Sequence, residues 1–179
     1  MSHKTDKFTP WASISREERF FTAILFQDLL RNPTPFWQLL QSKVRELRHF
    51  SLAEVSFEVC FFRDAAHKGL IKRAPMREKQ TFDFVLFLET GDIVIIEAKA
   101  HQAFITKQLN ELIQARADIL AASNIRQVYI MGLYSSKYHP MSSTLAAFTG
   151  SITWNDVASI VDYKSNAHHY LRADSIFHN

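Results

Sequence analysis

The sequence contains few of the residues that build cross-linked or nucleotide-cradling proteins. Cys60 is the single cysteine, which excludes a disulfide within the chain and favours a reducing compartment. No Cys and His spacing is typical of a zinc site, and the four glycines form neither a Walker nor a dinucleotide-binding pattern. The sequence therefore argues against disulfide scaffolds, zinc modules and the common nucleotide-binding enzymes.

Long apolar runs are also missing. Met1–Pro10 is polar and does not resemble a secretory signal, and no apolar run is long enough to cross a bilayer. We therefore expect a cytoplasmic protein with no membrane partner. The 179 residues, 47% of them hydrophobic, are enough for one domain with a sizeable core, and 15 of them are phenylalanine. We predict a single domain over residues 1–179.

The stretch Thr81–Lys99 is the most informative part of the sequence. Its pattern predicts two strands rich in Val, Ile, Phe and Leu, joined by a tight turn at Gly91. Asp83, Glu97 and Lys99 interrupt the apolar pattern. Burying a charge is costly unless the charge is paired or bound to a metal, so charges in strands this apolar indicate a functional site.

The length of the turn decides which of these side chains meet. A two-residue Thr90-Gly91 loop would place Asp83 opposite Ala98. Glu97 and Lys99 would then lie on the other face. A three-residue loop that starts one residue earlier needs positive φ at its last position, which glycine favours. That loop places Asp83 opposite Glu97, with Lys99 on the same face, and we adopt it, partly because it unites the charges. The other face is then apolar: Phe82, Phe84, Leu86, Leu88, Val94, Ile96 and Ala98.

Two facing carboxylates beside an ammonium group suit a hard divalent cation, Mg²⁺ or Mn²⁺. Mg²⁺ is usually bound through one or two carboxylates, keeps several waters and binds phosphate oxygens. Such an ion polarises a phosphoryl group and lowers the pKa of a bound water. Asp83 and Glu97 are therefore candidate metal ligands. Lys99 is a candidate for orienting the attacking water or stabilising the charge that develops on phosphorus.

Asp83 followed by Glu97-Ala98-Lys99 resembles the signature of the PD-(D/E)XK, or restriction-endonuclease-like, nuclease superfamily. Phe82 stands where the Pro of that signature would be. The resemblance implies an α/β fold with an αβββαβ core and a mixed sheet flanked by helices. The core would cover about residues 15–134, with 135–179 as a C-terminal extension. The resemblance also implies metal-dependent hydrolysis of DNA, with RNA as the alternative, and metal binding by Asp83, Glu97 and the carbonyl of Ala98.

A helix is predicted from Ser15 to about Arg31, because apolar residues recur at helical spacing. Ser15 and Glu18 fit a capping box. Glu18-Arg19-Phe20-Phe21-Thr22 resembles a Glu-x-x-x-Thr spacing found in some relatives, in which this helix brings a Glu to the metal site. The resemblance thus makes Glu18 an accessory catalytic candidate, with Glu17 as the alternative.

A second long helix is predicted over Phe104–Ala122. Gln108-Leu109-Asn110-Glu111-Leu112 resembles the Gln-Leu-x-x-Tyr pattern of exonuclease-type members, with Leu112 in place of Tyr, and this makes Gln108 a further catalytic candidate. Glu58 is a further candidate carboxylate. The other predicted elements are a helix over Phe36–Phe50, strands over Val55–Phe62 and Gln127–Tyr134, irregular or weakly helical structure over Ser135–Gly150, and a helix over Trp154–Val161 capped by Asn155 or Thr153.

Positive charge collects directly before the Asp83 strand. Arg63–Lys79 contains six basic and two acidic residues, whereas the whole chain has a net charge of only +3. Lys and Arg contacts to phosphates drive nucleic-acid binding, so this basic segment predicts a nucleic-acid partner. A solvated charged loop is the alternative. The candidate nucleic-acid-binding residues are Lys68, Lys72, Arg73, Arg77 and Lys79.

Two other interpretations stay open at this point. In the first, the same fold is a binding module that holds nucleic acid or a protein without cleaving it. In the second, a Phe-rich surface mediates assembly, and cleavage is carried by another subunit. A homodimer is compatible with each of these interpretations, because the sequence does not define the oligomeric state.

Overall fold

A computed structural model describes residues 17–72 and 80–177. It has a five-stranded mixed sheet flanked by helices, which confirms the predicted α/β class. The strands are β1 Leu52–Val59, β2 Phe82–Leu88, β3 Ile93–Ala98, β4 Val128–Tyr134 and β5 Gly150–Thr153. The α-helices are α1 Glu18–Arg31, α2 Thr34–Lys43, α3 Phe61–His67, α4 Thr106–Ala122, α5 Ser142–Leu145, α6 Trp154–Ala158 and α7 Ala167–Ser175. Short 3₁₀ segments cover Arg45–Leu47 and Val161–Tyr163.

The strands lie in the order β1-β2-β3-β4-β5. The first three are antiparallel neighbours, while β4 is parallel to β3 and β5 is parallel to β4. This confirms the predicted meander and the predicted parallel crossover from β3 through α4 to β4. The structure adds β5 at the edge, where irregular structure was predicted up to Gly150. Four residues are too few to show an alternating pattern in the sequence.

The turn of the β2–β3 hairpin has the predicted three-residue loop. Gly91 has φ +84° and donates its N–H to the Leu88 carbonyl over 2.8 Å. The Leu88 N–H donates to the Asp92 carbonyl over 2.9 Å, so these two residues close the loop. Positive φ is readily available to glycine because it has no Cβ. The turn therefore forms where the sequence places a glycine at the position that needs positive φ.

The register of the hairpin follows from this turn. Phe84 pairs with Ile96, and continuing the same register by one residue places Asp83 opposite Glu97, as predicted. Phe84 and Ile96 lie in one apolar cluster, whereas Phe82 lies in another. The prediction that Phe82 shares the Phe84 face was therefore wrong.

A backbone irregularity in β1 accompanies this switch of face. Glu58 has φ +50°, a left-handed conformation that is uncommon for residues with a side chain. Val59 follows it and pairs with Phe82, and both contribute to the second apolar cluster. The predicted extension of this strand to Phe62 was wrong, because Phe61 begins α3.

Two apolar clusters cover the two faces of the sheet. The main cluster joins the sheet to α1, α2 and the C-terminal helices, and its largest buried members include Phe21, Phe36, Trp154, Tyr163 and Tyr170. The second cluster joins the sheet to α3 and α4 and includes Phe61, Phe62, Val85, Ile95 and Ile119. Burial of this much apolar surface is the dominant favourable term in folding. The helices that carry Glu18 and Gln108 thus lie on opposite faces of the sheet.

The first two helices differ from the prediction at their ends. Helix α1 begins at Glu18, and Glu17 is its N-cap without a side-chain capping bond, while the predicted Ser15 partner lies outside the described residues. Helix α2 ends at Lys43 and does not reach Phe50. Buried Val44 has an extended backbone, with φ −122° and ψ 110°, which ends the helix.

The C-terminal elements close the core around α1. Thr153 caps α6, as one of the two predicted alternatives, through a reciprocal pair of hydrogen bonds with Asp156. Tyr170 of α7 is fully buried and donates its hydroxyl to Asp28 of α1 over 2.6 Å. No helix in the described part of the chain is long and apolar enough to cross a membrane.

Candidate active site

The site is built at the end of β3, where the hairpin register brings two acids together. Asp83 and Glu97 lie on adjacent strands, and the Ala98 N–H donates to Asp83 Oδ2 over 2.7 Å. Side chains of neighbouring strands in register lie about 5 Å apart at Cβ. The two carboxylates therefore share one small region of the sheet.

Glu97 is held on its other side by α4. It is 7% exposed, and Gln108 in the first turn of α4 donates Nε2–H to Glu97 Oε1. The parallel pairing of Glu97 with Gly132 of β4 fixes its backbone. Gln108, predicted from the resemblance, thus contacts the acid directly.

Lys99 links this acidic pair to α1. Its Nζ lies 2.9 Å from Glu18 Oε1 and 3.6 Å from Glu97 Oε1. Its backbone N–H donates to the Leu133 carbonyl over 2.7 Å, and its carbonyl accepts from Trp154 Nε1–H over 2.9 Å. The ammonium group therefore sits between two carboxylates, on a backbone that is fixed from both sides.

The pKa values show that the acids are crowded. Burial raises the pKa of Asp83 to about 6, against the Ala98 N–H, which lowers it. Burial, and after it the nearby charge of Asp83, raises the pKa of Glu97 to about 8. Two carboxylates this close resist simultaneous ionisation, so the pair retains a proton near neutral pH.

The pKa of Lys99 moves in the opposite sense. Burial lowers it, but the Glu18 and Glu97 carboxylates raise it by more, so that its net shift is upward. Lys99 is therefore an ammonium ion at neutral pH and acts as a hydrogen-bond donor. It has no free pair of electrons with which to remove a proton.

The donor set fits a small, hard cation. Among the described residues, no three His, Cys, Asp or Glu side chains form a group that could hold a metal ion. Asp83 and Glu97 provide two carboxylates beside the Ala98 peptide, and Mg²⁺ commonly uses one or two carboxylates with water completing its shell. The raised pKa values of the pair mean that added positive charge would stabilise its ionised form.

A third acid lies beside the pair. Residues on both sides of Glu58 pair with residues on both sides of Asp83, and the charge of Glu58 contributes to the raised pKa of Asp83. Glu58 Oε1 lies 3.0 Å from Arg19 Nε. Glu58, a candidate carboxylate in the sequence, is thus adjacent to the site but ion-paired.

The residues predicted from the sequence separate into two groups. Asp83, Glu97, Lys99, Glu18 and Gln108 come together within a connected set of contacts. Glu18 is the acid that contacts Lys99, and Glu17, the predicted alternative, is exposed at the helix start. Of the basic segment, Lys68 and Lys72 are exposed, whereas Arg73, Arg77 and Lys79 lie outside the described residues.

A cleft with a volume of about 380 Å³ opens beside the site. It is lined by Lys99, Gln102, Ala103, Ile105, Lys107, Gln108 and Glu111. The Nζ of Lys99 faces the Phe104 ring at 5.9 Å from its centroid. The cleft therefore opens beside Lys99 along the start of α4.

Two contacts of the site have no signal in the sequence. Trp154 reaches the Lys99 carbonyl from 55 positions away, and no spacing rule connects them. Arg19 follows Glu18 directly, but its partner Glu58 lies on another element, and the strand pattern alone does not predict that pair. Contacts of this kind, between elements far apart in the sequence, become visible only in the tertiary structure.

Comparison with known proteins found no matching family model, no matching curated protein and no matching solved structure.

Proposed function

We propose that the protein is a metal-dependent nuclease that hydrolyses phosphodiester bonds of DNA, with RNA as the alternative substrate. The observation that carries the proposal is the convergence of Asp83, Glu97 and Lys99 at one strand end. Glu18 and Gln108 approach them from helices on opposite faces of the sheet. A crowded acid pair beside a fixed ammonium group suits the binding of a cation and a phosphate together.

The order of elements supports membership of the PD-(D/E)XK superfamily as part of this proposal. Helix α1, the antiparallel strands β1 to β3, helix α4 and the parallel strand β4 follow one another as the resemblance implies. Helices α2 and α3 and the elements after β4 are additions to that order.

Asp83, Glu97 and the carbonyl of Ala98 would hold Mg²⁺ or Mn²⁺. Such a cation supplies Lewis acidity toward phosphoryl and water oxygens when bound. The protein shields one edge of the site from water, since Glu97 is 7% exposed and Ala98 is fully buried. Low local polarity strengthens each electrostatic interaction with a developing charge.

Lys99 would donate hydrogen bonds to a phosphoryl oxygen and stabilise its negative charge in the transition state. Glu18, 2.9 Å away, orients that ammonium group, and Gln108 orients Glu97. In the reaction a water oxygen would form a bond to phosphorus and release its proton to solvent, while the opposite bond, to the leaving sugar oxygen, would break and that oxygen would take up a proton from solvent. The rate would come mainly from positioning and from charge stabilisation.

The substrate would reach Lys99 through the neighbouring cleft. Lys68 and Lys72 are exposed beyond α3 and would contact phosphates, together with Arg73, Arg77 and Lys79 of the same basic segment. Such contacts are insensitive to base sequence and weaken as salt rises. This supports a polyanionic substrate.

The test is cleavage of DNA and RNA with Mg²⁺, with Mn²⁺ and with a chelator. We expect cation-dependent cleavage that Lys99→Met reduces by about 10²-fold or more, because the loss of one preorganised donor to a transition-state oxyanion costs that much. The variant should still bind the uncleaved substrate.

Lys43→Met is the matched control. Lys43 is also paired with a carboxylate, since its Nζ lies 3.0 Å from Asp156 Oδ1, but it lies on α2 and does not line the cleft. It should keep nearly full activity. Absence of cleavage by the wild-type protein with either cation on both substrates would refute the nuclease and favour the binding module.

A further inference from the structure

The guanidinium of Arg19 occupies a distinctive position beside the site. Arg19 follows Glu18 on α1, and Glu18 contacts the ammonium of Lys99 over 2.9 Å. Arg19 Nε lies 3.0 Å from Glu58 Oε1, although 78% of its side chain is exposed. An exposed arginine usually gains little from such a pair. The pair therefore calls for an explanation other than stability.

The backbone of Glu58 is unfavourable for a residue with a side chain. Its φ of +50° makes it the only non-glycine residue with positive φ in the described part of the chain. Such conformations are energetically unfavourable and tend to occur at functional sites. Glu58 lies opposite Asp83 in the sheet, so the irregularity is located at the site.

The acids form a row across three strands, with Glu58 on β1, Asp83 on β2 and Glu97 on β3. A positive group stands at each end of this row. Lys99 lies at the Glu97 end and Arg19 at the Glu58 end. Most of the Arg19 side chain is exposed, so its guanidinium is accessible to a ligand from the solvent side.

We propose that Arg19 binds a backbone phosphate of the substrate that flanks the reacting one, and that Glu58 holds Arg19 in position for this contact. The inference rests on the proposed function for the identity of the substrate. A guanidinium offers a planar fork of donors that matches two phosphate oxygens at once. Arg19 and Lys99 then contact two phosphates on either side of the acid row.

The first experiment measures binding of a fluorescein-labelled DNA duplex over a range of salt concentrations, with every variant placed in a Lys99→Met background so that the duplex stays intact. Arg19→Met should weaken binding roughly tenfold, as expected for one charge-assisted contact. It should also reduce the slope of log affinity against log salt by about one, since one phosphate contact is lost. Arg19→Lys should recover part of the affinity.

Arg31→Met is the matched control. Arg31 lies at the far end of the same helix, is 68% exposed and is also paired with one carboxylate, since Arg31 Nη1 lies 3.6 Å from Asp28 Oδ1. Its loss should leave affinity and salt slope unchanged. In the cleaving protein, Arg19→Met should raise KM with kcat nearly unchanged, whereas Lys99→Met should lower kcat.

A double-mutant cycle tests the role of Glu58. If Glu58 positions Arg19, Glu58→Gln should harm binding more when Arg19 is present than in the Arg19→Met protein. Equal effects in the two proteins would overturn the positioning role.

Different experimental outcomes would overturn this inference and the nuclease proposal. If the wild-type protein cleaves DNA, but Arg19→Met and Arg31→Met bind alike, the Arg19 contact is overturned and the nuclease stands. If the wild-type protein cleaves nothing, but Arg19→Met alone loses affinity and salt slope, the phosphate contact is supported and the nuclease falls.

Discussion

The two ends of the β2–β3 hairpin each bury a carboxylate, with different results. At the turn, Asp92 is 3% exposed and accepts from Thr90 Oγ1–H over 2.9 Å and from the Gln127 N–H over 3.0 Å. At the open end, buried Glu97 lies beside half-buried Asp83, and the pKa values of both acids rise. Both of these donors to Asp92 are neutral. Burial alone therefore does not distinguish the two ends of the hairpin, whereas the crowding of two acids does.

Other buried carboxylates, like Asp92, accept hydrogen bonds from neutral donors. Asp28 accepts from the Tyr170 hydroxyl over 2.6 Å and from Asn166 Nδ2–H over 2.9 Å. Asp174 accepts from the backbone N–H and the hydroxyl of Ser136, both over 2.6 Å. Hydrogen bonds to an ionised acceptor are among the strong ones, so these acids fasten the C-terminal helices to the rest of the fold. The open end of the hairpin departs from this arrangement.

The largest expected effect is on the affinity for Mg²⁺. Glu97→Gln and Asp83→Asn should each weaken binding by about tenfold or more, because each removes a charged ligand while keeping its shape, and even indirect partners of a bound metal matter by about that factor. Isothermal titration calorimetry with Mg²⁺ and Mn²⁺ measures this. Asp92→Asn is the control and should bind as the wild type does; unchanged binding in both site variants would exclude a cation site here.

Two of these substitutions, Glu97→Gln and Asp92→Asn, should change the stability of the metal-free protein in opposite directions. Glu97→Gln should stabilise it at pH 7 by roughly 2 kcal/mol, because folding of the wild-type protein at this pH is coupled to uptake of a proton by that acid, and glutamine needs none. Asp92→Asn should destabilise it by about 1–3 kcal/mol, since an amide cannot accept from both donors without turning an N–H toward one of them. Urea unfolding checks both, and a loss of stability in both variants would contradict the assignment of Glu97 as a crowded acid.

The stability of the metal-free protein should fall between pH 5 and pH 8. The pKa of Glu97 rises from 4.5 to about 8 on folding, so that the folded state binds more protons than the unfolded state across this range. The derivative of unfolding free energy with pH is then negative. The contribution of Asp83 adds to this at the lower part of the range, up to about pH 6.

Thermal melts at several pH values without metal would measure the fall. Mg²⁺ should reverse it at pH 8, because a ligand that binds only the folded state stabilises that state by RT ln(1 + [L]/Kd). Glu97→Gln should flatten the profile above pH 6, where Asp83 contributes little, and an equally steep profile in that variant would show that the titrating group lies elsewhere.

The sequence was sufficient for features that depend on short stretches of chain. The hairpin register follows from Gly91 and from the spacing of Asp83 and Glu97, and the structure confirms it. The placement of Glu18 and Gln108 near the acids agrees with what the superfamily resemblance implies. These side chains sit on long, strongly periodic helices, whose faces a sequence pattern defines well.

Features set by tertiary packing could not be predicted from the sequence. Helix α2 ends at Lys43 because the next residue, Val44, is buried with an extended backbone. Tertiary packing of this kind overrides helix propensity. The strand before α3 ends at Val59, directly after the left-handed Glu58. The bond from Trp154 to Lys99 joins elements that only the folded chain brings together.

The smallest expected effect concerns the turn that sets the register of the site. Gly91→Ala should destabilise the protein by about 1 kcal/mol, since φ +84° favours glycine and a Cβ there would meet no atom within 4 Å. Gly69→Ala has the same backbone requirement, with φ +71° and open space, so it is the matched control outside the hairpin.

Neither glycine substitution should change the affinity for Mg²⁺. A two-residue loop would still need positive φ within its type I′ or II′ turn, and the one-residue slip would move Asp83 and Glu97 to opposite faces and place apolar side chains in water. β2 is also held by β1, and β3 by β4, so slipping would disrupt several pairings. Urea unfolding together with calorimetric Mg²⁺ titration separates the two cases. A Gly91→Ala protein that loses Mg²⁺ binding while Gly69→Ala retains it would show that the turn, and not the neighbouring strands, holds the two acids together.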